Sequence, residues 1–308
     1  MKLSVIGTGS VGSSLAQRVI DGNLVDELVL VDKIKGLAKG YSLDLEHSTP
    51  LCESNIDVRG SKSYEDISNS DLIVITAGAG RKEGMDRSDL LKQNGKIIKS
   101  ISSKINEFSP NSIVVVVTNP LDLMVYKTYK TMDVKRNKVM GMAGSLDSAR
   151  FKYLLAKETG FSPKDIQTLV IGPHSNKMIP LKKRTYIRGI PIQEFLSKGR
   201  INELVNATKK AGERVVNYLG DGSAKYAPSS ALLEIIKSIK FNENRLIPVS
   251  FYLNGEYDIK DVCLGVPAII GSNGVKEVIE LDLADEEMEQ MKEAEKEVKD
   301  QIENLKDI

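Results

Sequence analysis

Only two histidines occur among the 308 residues, His47 and His174. His174 stands in a Gly-Pro-His-Ser stretch, residues 172–175, that follows a short apolar run from Ile166 to Ile171. An imidazole titrates near neutral pH and so can take or give a proton. Asp147 and Arg150 lie three apart in a segment of helical pattern, which puts them on one face. Arg81, Lys82 and Arg87 crowd a glycine-rich segment, 77–87, just after another apolar run, and Asn119-Pro120 ends a third. A base, a carboxylate and several cations are what the oxidation of an alcohol to a carbonyl needs when the substrate carries carboxylates. Each has a plainer reading alone: a surface ion pair, an inert loop histidine, an exposed basic loop.

That chemistry also needs a hydride acceptor. Gly7-Thr8-Gly9-Ser10-Val11-Gly12 fits the G-x-G-x-x-G pattern. A strand-like run precedes it, a helix-like run follows, and Asp32 ends the next strand-like run at the expected distance. Gly7 permits a sharp turn, Gly9 lets backbone approach a pyrophosphate, and Gly12 lets helix pack on strand. The helix N-terminus then turns free N–H groups toward phosphate. The Asp32 carboxylate suits an adenosine ribose and would repel a 2′-phosphate, so the expected cofactor is NAD. Without a ligand the same turn reads as a flavodoxin-like loop.

The elements that must hold these residues change style along the chain. From Lys2 to about Met142, apolar runs at Leu3–Ile6, Leu28–Val31, Leu72–Ile75, Ile113–Val117 and Val139–Met142 alternate with helical stretches at Val11–Ile20, Lys35–Glu46, Asp89–Phe108 and Leu121–Tyr129. The runs are rich in valine and isoleucine with little in/out alternation, as in parallel strands covered on both faces. The expected fold is α/β: an N-terminal Rossmann doubly wound parallel sheet, residues 1–142, plus an α+β C-terminal substrate domain with antiparallel strands, residues 143–308. In that second part, Lys182–Ile190, Leu246–Leu253, Val262–Ile270 and Val275–Leu281 read as strands, with Asn254-Gly255 and Asn273-Gly274 as tight hairpin turns. Helices are expected near Leu146–Thr159, Ile201–Leu219 and Ser229–Ile239. Asp285–Leu305 reads as an amphipathic surface helix.

The 43 Lys+Arg and 42 Asp+Glu leave a net charge of +1. That gives no field for nucleic acid or anionic lipid, so an anion site must be local. Cys52 and Cys263 form no disulfide framework, which fits a reducing cytoplasm. No targeting segment and no membrane-length apolar stretch is visible. Paired metal-ligand spacing is absent, so no metal is expected.

Together, Ile75-Thr-Ala-Gly-Ala-Gly-Arg-Lys-Glu-Gly-Met-Asp-Arg87, Val117-Thr-Asn-Pro-Leu-Asp122 and Leu146-Asp-Ser-Ala-Arg-Phe151 resemble the lactate/malate dehydrogenase superfamily, and within it the malate dehydrogenases of lactate-dehydrogenase-like type. The resemblance runs nearly end to end. It implies reversible NAD-dependent oxidation of malate to oxaloacetate, a step of the tricarboxylic acid cycle. His174 matches the proton acceptor and Asp147 the carboxylate that orients it. Arg87 matches the mobile-loop arginine that polarises the reacting carbonyl. Arg150 matches the grip on the C1 carboxylate, and Asn119 a contact to substrate and nicotinamide. Gly7 to Gly12, Asp32, Asn94, Val117, Thr118 and Asn119 match the cofactor site. Arg81 stands where the family distinguishes substrates, and a cation there suits a second carboxylate. A homodimer or homotetramer is implied as well.

Two places depart from the family pattern, the residues around the histidine and position 225. Ser175-Asn176-Lys177 replaces Gly-Asp-Ser after the histidine, Pro173 precedes it, and Lys225 stands where an aromatic residue is common. The lost glycine would restrict the backbone beside the base, and Lys177 would disfavour an imidazolium. The rival readings are a lactate or other 2-hydroxy-acid dehydrogenase and a non-catalytic NAD(H)-binding sensor.

Overall fold

The computed structural model describes residues 1–80, 87–220 and 222–305. In its first half, valine- and isoleucine-rich runs form β1 (Lys2–Ile6), β2 (Glu27–Val31), β3 (Asp57–Ser61), β4 (Leu72–Ile75), β5 (Ile113–Val116) and β6 (Val139–Met142). Between them lie α1 (Ser10–Asp21), α2 (Leu37–Ser48), α3 (Arg87–Phe108) and α4 (Leu121–Thr131). Every residue of β4, β5 and β6 is buried, as strands covered on both faces must be. The six strands are parallel in the order β6-β5-β4-β1-β2-β3. The order reverses between β1 and β4, so the loops leaving their carboxyl ends diverge and open a crevice.

The second half begins with α5 (Gly144–Thr159). The single strand expected over 166–171 is two short ones, β7 (Ile166–Gln167) and β8 (Val170–Ile171), in different sheets. β8 pairs with β9 (Ile179–Pro180), while β7 joins β10 (Tyr186–Ile187) and β11 (Ile190–Pro191). The expected strand over 182–190 therefore shrinks to β10, because Lys182–Arg184 forms a 3-10 turn. The helix expected over 201–219 is also two, α6 (Lys198–Lys209) and α7 (Ala211–Leu219), broken at Lys210 with φ −97 and ψ −1. α8 (Tyr226–Lys240), β12 (Arg245–Asn254), β13 (Lys260–Gly271), β14 (Gly274–Val278) and α9 (Asp285–Glu303) complete the chain.

The long antiparallel strands β12, β13 and β14 do not make a sheet of their own. β12 pairs with β6 through Val249–Met142 and Ser250–Gly141, so β14-β13-β12 extends the parallel sheet to nine strands. The larger apolar core follows that sheet across residues 142 and 143 and includes Leu232, Phe251 and Met291. A smaller core, with Phe151, Leu155, Ile166, Ile187 and Ile201, lies under the short strands. Asn254-Gly255 opens a loop with a register shift rather than a tight hairpin. The loop turns inward to bury Tyr257, whose hydroxyl donates to Ile279 O at 3.0 Å. At the other turn Gly271 pairs with Gly274, leaving Ser272 and Asn273 as the connection. The edge strand β3 escapes the apolar pattern because only Val58 in Asp-Val-Arg-Gly-Ser is buried. No helix among the described residues is long and apolar enough to cross a membrane.

Candidate active site

The glycine turn leaves β1 at the point where the strand order reverses. A Cβ on Gly7, which has φ +99, would stand 2.5 Å from Ala77 N, and one on Gly12 would stand 2.0 Å from Gly7 O. Both glycines are required by the chain's own packing. A Cβ on Gly9 would meet nothing within 4 Å, so that face is open to a ligand. Ser10 and Val11 begin α1, whose N-terminus has neither a side-chain cap nor an acidic first turn. Its N–H groups are left for an anion. The Asp32 Oδ2 accepts from Thr8 N–H at 2.8 Å and from the Thr8 hydroxyl at 3.1 Å. Its Oδ1 accepts from Ile34 N–H at 2.9 Å. The carboxylate sits at the end of β2, partly exposed beside the turn. These residues fit a dinucleotide: an open glycine face, free N–H groups and a carboxylate at the end of the next strand.

The strand-end loops after β4 and β5 are tied to each other. Thr118 donates its hydroxyl to Ala77 O at 2.7 Å, and Val117 N–H donates to Ile75 O at 2.9 Å. Asn94, on α3 and buried, accepts from Ala79 N–H at 2.7 Å and donates to Ala79 O at 3.2 Å and Asn119 O at 2.6 Å. The resemblance implies a cofactor contact at Asn94; in the structure its amide is spent on these two loops, which it holds together. Arg81 lies outside the described residues. Arg87 opens α3, and its side chain lies outside the described set as well.

On the other side of the crevice, α5 carries Asp147 and Arg150, and the loop after β8 carries His174. Asp147 is 1% exposed and serves both neighbours. Its Oδ2 pairs with His174 Nδ1 at 2.7 Å, and its Oδ1 accepts from Arg150 Nη1 at 3.1 Å. The histidine and arginine side chains keep 16% and 17% exposure, so neither is sealed off from solvent. With Nδ1 engaged, Nε2 is the ring atom left for a ligand. Gly212 of α7 lies against the guanidinium, 3.4 Å from where its Cβ would be. The break at Lys210 thus brings a residue without a side chain over Arg150.

Burial works against a charged imidazole at His174, but Asp147, through its charge and its hydrogen bond, and then Asp122 outweigh it and raise the pKa above the ordinary imidazole value. Asp122, in the first turn of α4, was not singled out by sequence reasoning. Its Oδ2 accepts His174 N–H at 2.8 Å and its Oδ1 accepts the Ser250 hydroxyl at 2.6 Å. Burial pushes its carboxyl up. The signal was present in the Asn-Pro-Leu-Asp segment, but the partners are 52 and 128 residues away.

The sequence departures do less than expected. Lys177 does not act on the imidazole: its ammonium pairs with Glu297 of α9 at 2.5 Å. The turn into the loop is made by Gly172, φ +81, on the other side of Pro173. Ser175 and Asn176 have no positive φ, so losing a glycine there costs nothing. Lys225 precedes α8 and lies over the Tyr226 ring at 5.0 Å. A cleft of about 640 Å³ lies at the opposite, amino-terminal edge of the sheet, among Met1, Asp71, Phe108 and Lys240. No cluster of metal-ligating side chains occurs among the described residues.

Comparison with known proteins finds relatives over the whole chain. Residues 1–141 match the family described as lactate/malate dehydrogenase, NAD binding domain, and residues 144–308 match its alpha/beta C-terminal domain. The chain is 43% identical to a malate dehydrogenase of Nostoc sp., over 100% of this chain and 95% of that one. A crystal structure of Cryptosporidium parvum malate dehydrogenase superposes with a TM-score of 0.96 at 36% identity, covering 100% of this chain and 99% of that one. A lactate dehydrogenase of the same organism, complexed with lactic acid and nicotinamide adenine dinucleotide, superposes at 0.95 with 35% identity over 100% and 98%.

Proposed function

Since the chain belongs to the lactate/malate dehydrogenase family of NAD-dependent oxidoreductases, we propose that it interconverts (S)-malate and oxaloacetate. Residues 1–142 hold the cofactor and lend Arg81, Arg87 and Asn119 to the substrate, while 143–308 supply Asp147, Arg150 and His174. NAD, when bound, would supply the hydride acceptor for carbon 2 of the substrate, and its reduced form the hydride for the reverse direction. The Gly7–Gly12 turn and the head of α1 would hold its pyrophosphate, Asp32 its adenosine ribose, and Val117, Thr118 and Asn119 the nicotinamide side.

His174 takes the hydroxyl proton at Nε2 and gives it back when oxaloacetate is reduced. Asp147 fixes the ring with its Nδ1 proton inward and stabilises the imidazolium that results. Arg150 grips the C1 carboxylate, Arg87 the reacting oxygen, and Arg81 the second carboxylate that separates malate from lactate. Asp147 does two jobs at once, since holding Arg150 and His174 on one carboxylate fixes the distance between substrate carboxylate and base. The observation that carries the reading is that shared carboxylate, 2.7 Å from the imidazole and 3.1 Å from the guanidinium.

The test is a spectrophotometric panel of NADH and NADPH, each with oxaloacetate, pyruvate and branched 2-oxo acids. Fast NADH oxidation with oxaloacetate and little with pyruvate is expected. Equal rates would remove Arg81 as the selector, and no turnover with any acid would favour an NAD(H)-binding sensor. Exposed apolar residues on α7, Val215, Val216 and Leu219, support a homo-oligomer, which light scattering after size exclusion will test. The unpaired Cys52 and Cys263 support a cytoplasmic place.

A further inference from the structure

We propose that Asp122 and Ser250 form a positioning pair for His174: the carboxylate holds the histidine loop by its backbone and adds a second buried negative charge beside the ring. This rests on the reading of His174 as the proton-transfer group. Both oxygens of Asp122 accept hydrogen bonds, from His174 N–H at 2.8 Å and from the Ser250 hydroxyl at 2.6 Å. Neither bond asks Asp122 for a proton, so both favour the carboxylate against the burial that pushes it up.

The sheet fixes the pair in place. Ser250 of β12 stands opposite Gly265 of β13, and Gly265 in turn bridges Gly172, exchanging backbone hydrogen bonds of 2.8 Å with it. A Cβ on Gly265 would come within 2.6 Å of Gly172 O, so the loop lies directly on the strand. His174 is thereby fastened twice to one spot on the sheet, at Gly172 through β13 and at its own N–H through Asp122 and β12. Asp147 orients the ring; Asp122 sets where the ring starts.

The titratable groups around the imidazole and Asp122 come from α5, α4 and β13 and from the histidine's own loop. α5 brings Asp147 and Arg150, and α4 brings Asp122. Cys263 of β13, against Asp122, keeps its thiol because burial and that carboxylate push it up. Lys177 on the loop is paired with Glu297, and Lys130, which also acts on Cys263, is engaged by Tyr252 at 3.1 Å. Of these, two carboxylates and one guanidinium act on the ring, which favours the imidazolium needed for oxaloacetate reduction.

The experiment uses the fact that there are two histidines. With 15N-labelled imidazoles, NMR titration from about pH 5 to 9 follows His174, with exposed His47 of α2 as internal reference. Asp122→Asn keeps the size and an acceptor but removes the charge. It should move the His174 midpoint to lower pH, leave His47 unchanged, and lower kcat for oxaloacetate by roughly tenfold. Ser250→Ala should move the midpoint the same way by less, and it reads the pair even if Asp122→Asn fails to fold. An unmoved His174 midpoint in the folded variants, whatever their melting temperatures, overturns the proposal and leaves Asp122 a structural group. The titration needs no substrate, so a protein inactive with every 2-oxo acid would sink the dehydrogenase reading and still leave this result readable.

Discussion

Replacing Asp147 by asparagine alters one atom and removes one charge, yet it sets His174 and Arg150 against each other. The native carboxylate accepts from both, at 2.7 and 3.1 Å, with 1% exposure. An amide has one acceptor. If its oxygen faces Nδ1, its NH2 faces the guanidinium, donor against donor. If its oxygen faces Arg150, its NH2 donates to Nδ1 and the ring proton moves to Nε2, so the base is lost. Losing one charge-assisted hydrogen bond costs about 1.5–3 kcal/mol, or roughly 10- to 100-fold in kcat. The wrong tautomer raises this toward the about 10⁴-fold found for the same exchange in a Ser-His-Asp triad. Asp147→Asn should therefore lower kcat by 10²- to 10⁴-fold, an estimate of about 3–5 kcal/mol.

The pH profile gives the second readout. Oxaloacetate reduction needs His174 protonated, so kcat/KM falls as pH rises through a pKa that now lies above the ordinary imidazole value. Malate oxidation needs the neutral ring and rises over the same range. Removing Asp147 takes away the largest charge holding the proton, so both limbs should move to lower pH. The assay is NADH absorbance with each substrate across pH. A variant within twofold of the parent in kcat, with its limbs unmoved, would refute the shared-carboxylate reasoning.

Asp32→Ser should weaken NADH and improve NADPH, since the carboxylate facing a 2′-phosphate is gone. Because Asp32 also holds Thr8 at 2.8 and 3.1 Å, the NADH KM should rise roughly tenfold; an unchanged cofactor preference would remove Asp32 from the site. Gly12→Ala should lose about 3 kcal/mol or more, read as a fall in melting temperature, because its Cβ would sit 2.0 Å from Gly7 O. A melting temperature within a degree of the parent would contradict the packing of α1 on β1. Arg81→Gln should transfer kcat/KM from oxaloacetate toward pyruvate, and a substrate ratio that does not change would assign the selection elsewhere.

Much of this protein is written in short stretches of its chain. Gly7, Gly9, Gly12 and Asp32 were readable because a strand, a turn and a helix follow one another within about thirty residues. The Val/Ile runs of β4, β5 and β6 were readable because both faces are buried. Asp147 and Arg150 were readable as a pair because helical spacing puts them on one face. The helix break at Lys210 was not, since what it achieves, laying Gly212 of α7 against the Arg150 guanidinium of α5, is visible only in space. Nor was β3, an edge strand whose pairing with β2 rests on backbone rather than on apolar side chains.

The sequence alone determined the α/β architecture, the glycine turn and the pairing of Asp147 with Arg150 on one helix face, because each is a pattern of near neighbours. Only the tertiary structure decided that β12 to β14 extend the parallel sheet, that Lys177 is neutralised by Glu297, and that Asp122 and Ser250 sit behind His174. Charge and hydrogen bonding depend on distance in space, and for residues a hundred or more apart that distance is set by the topology of the sheet.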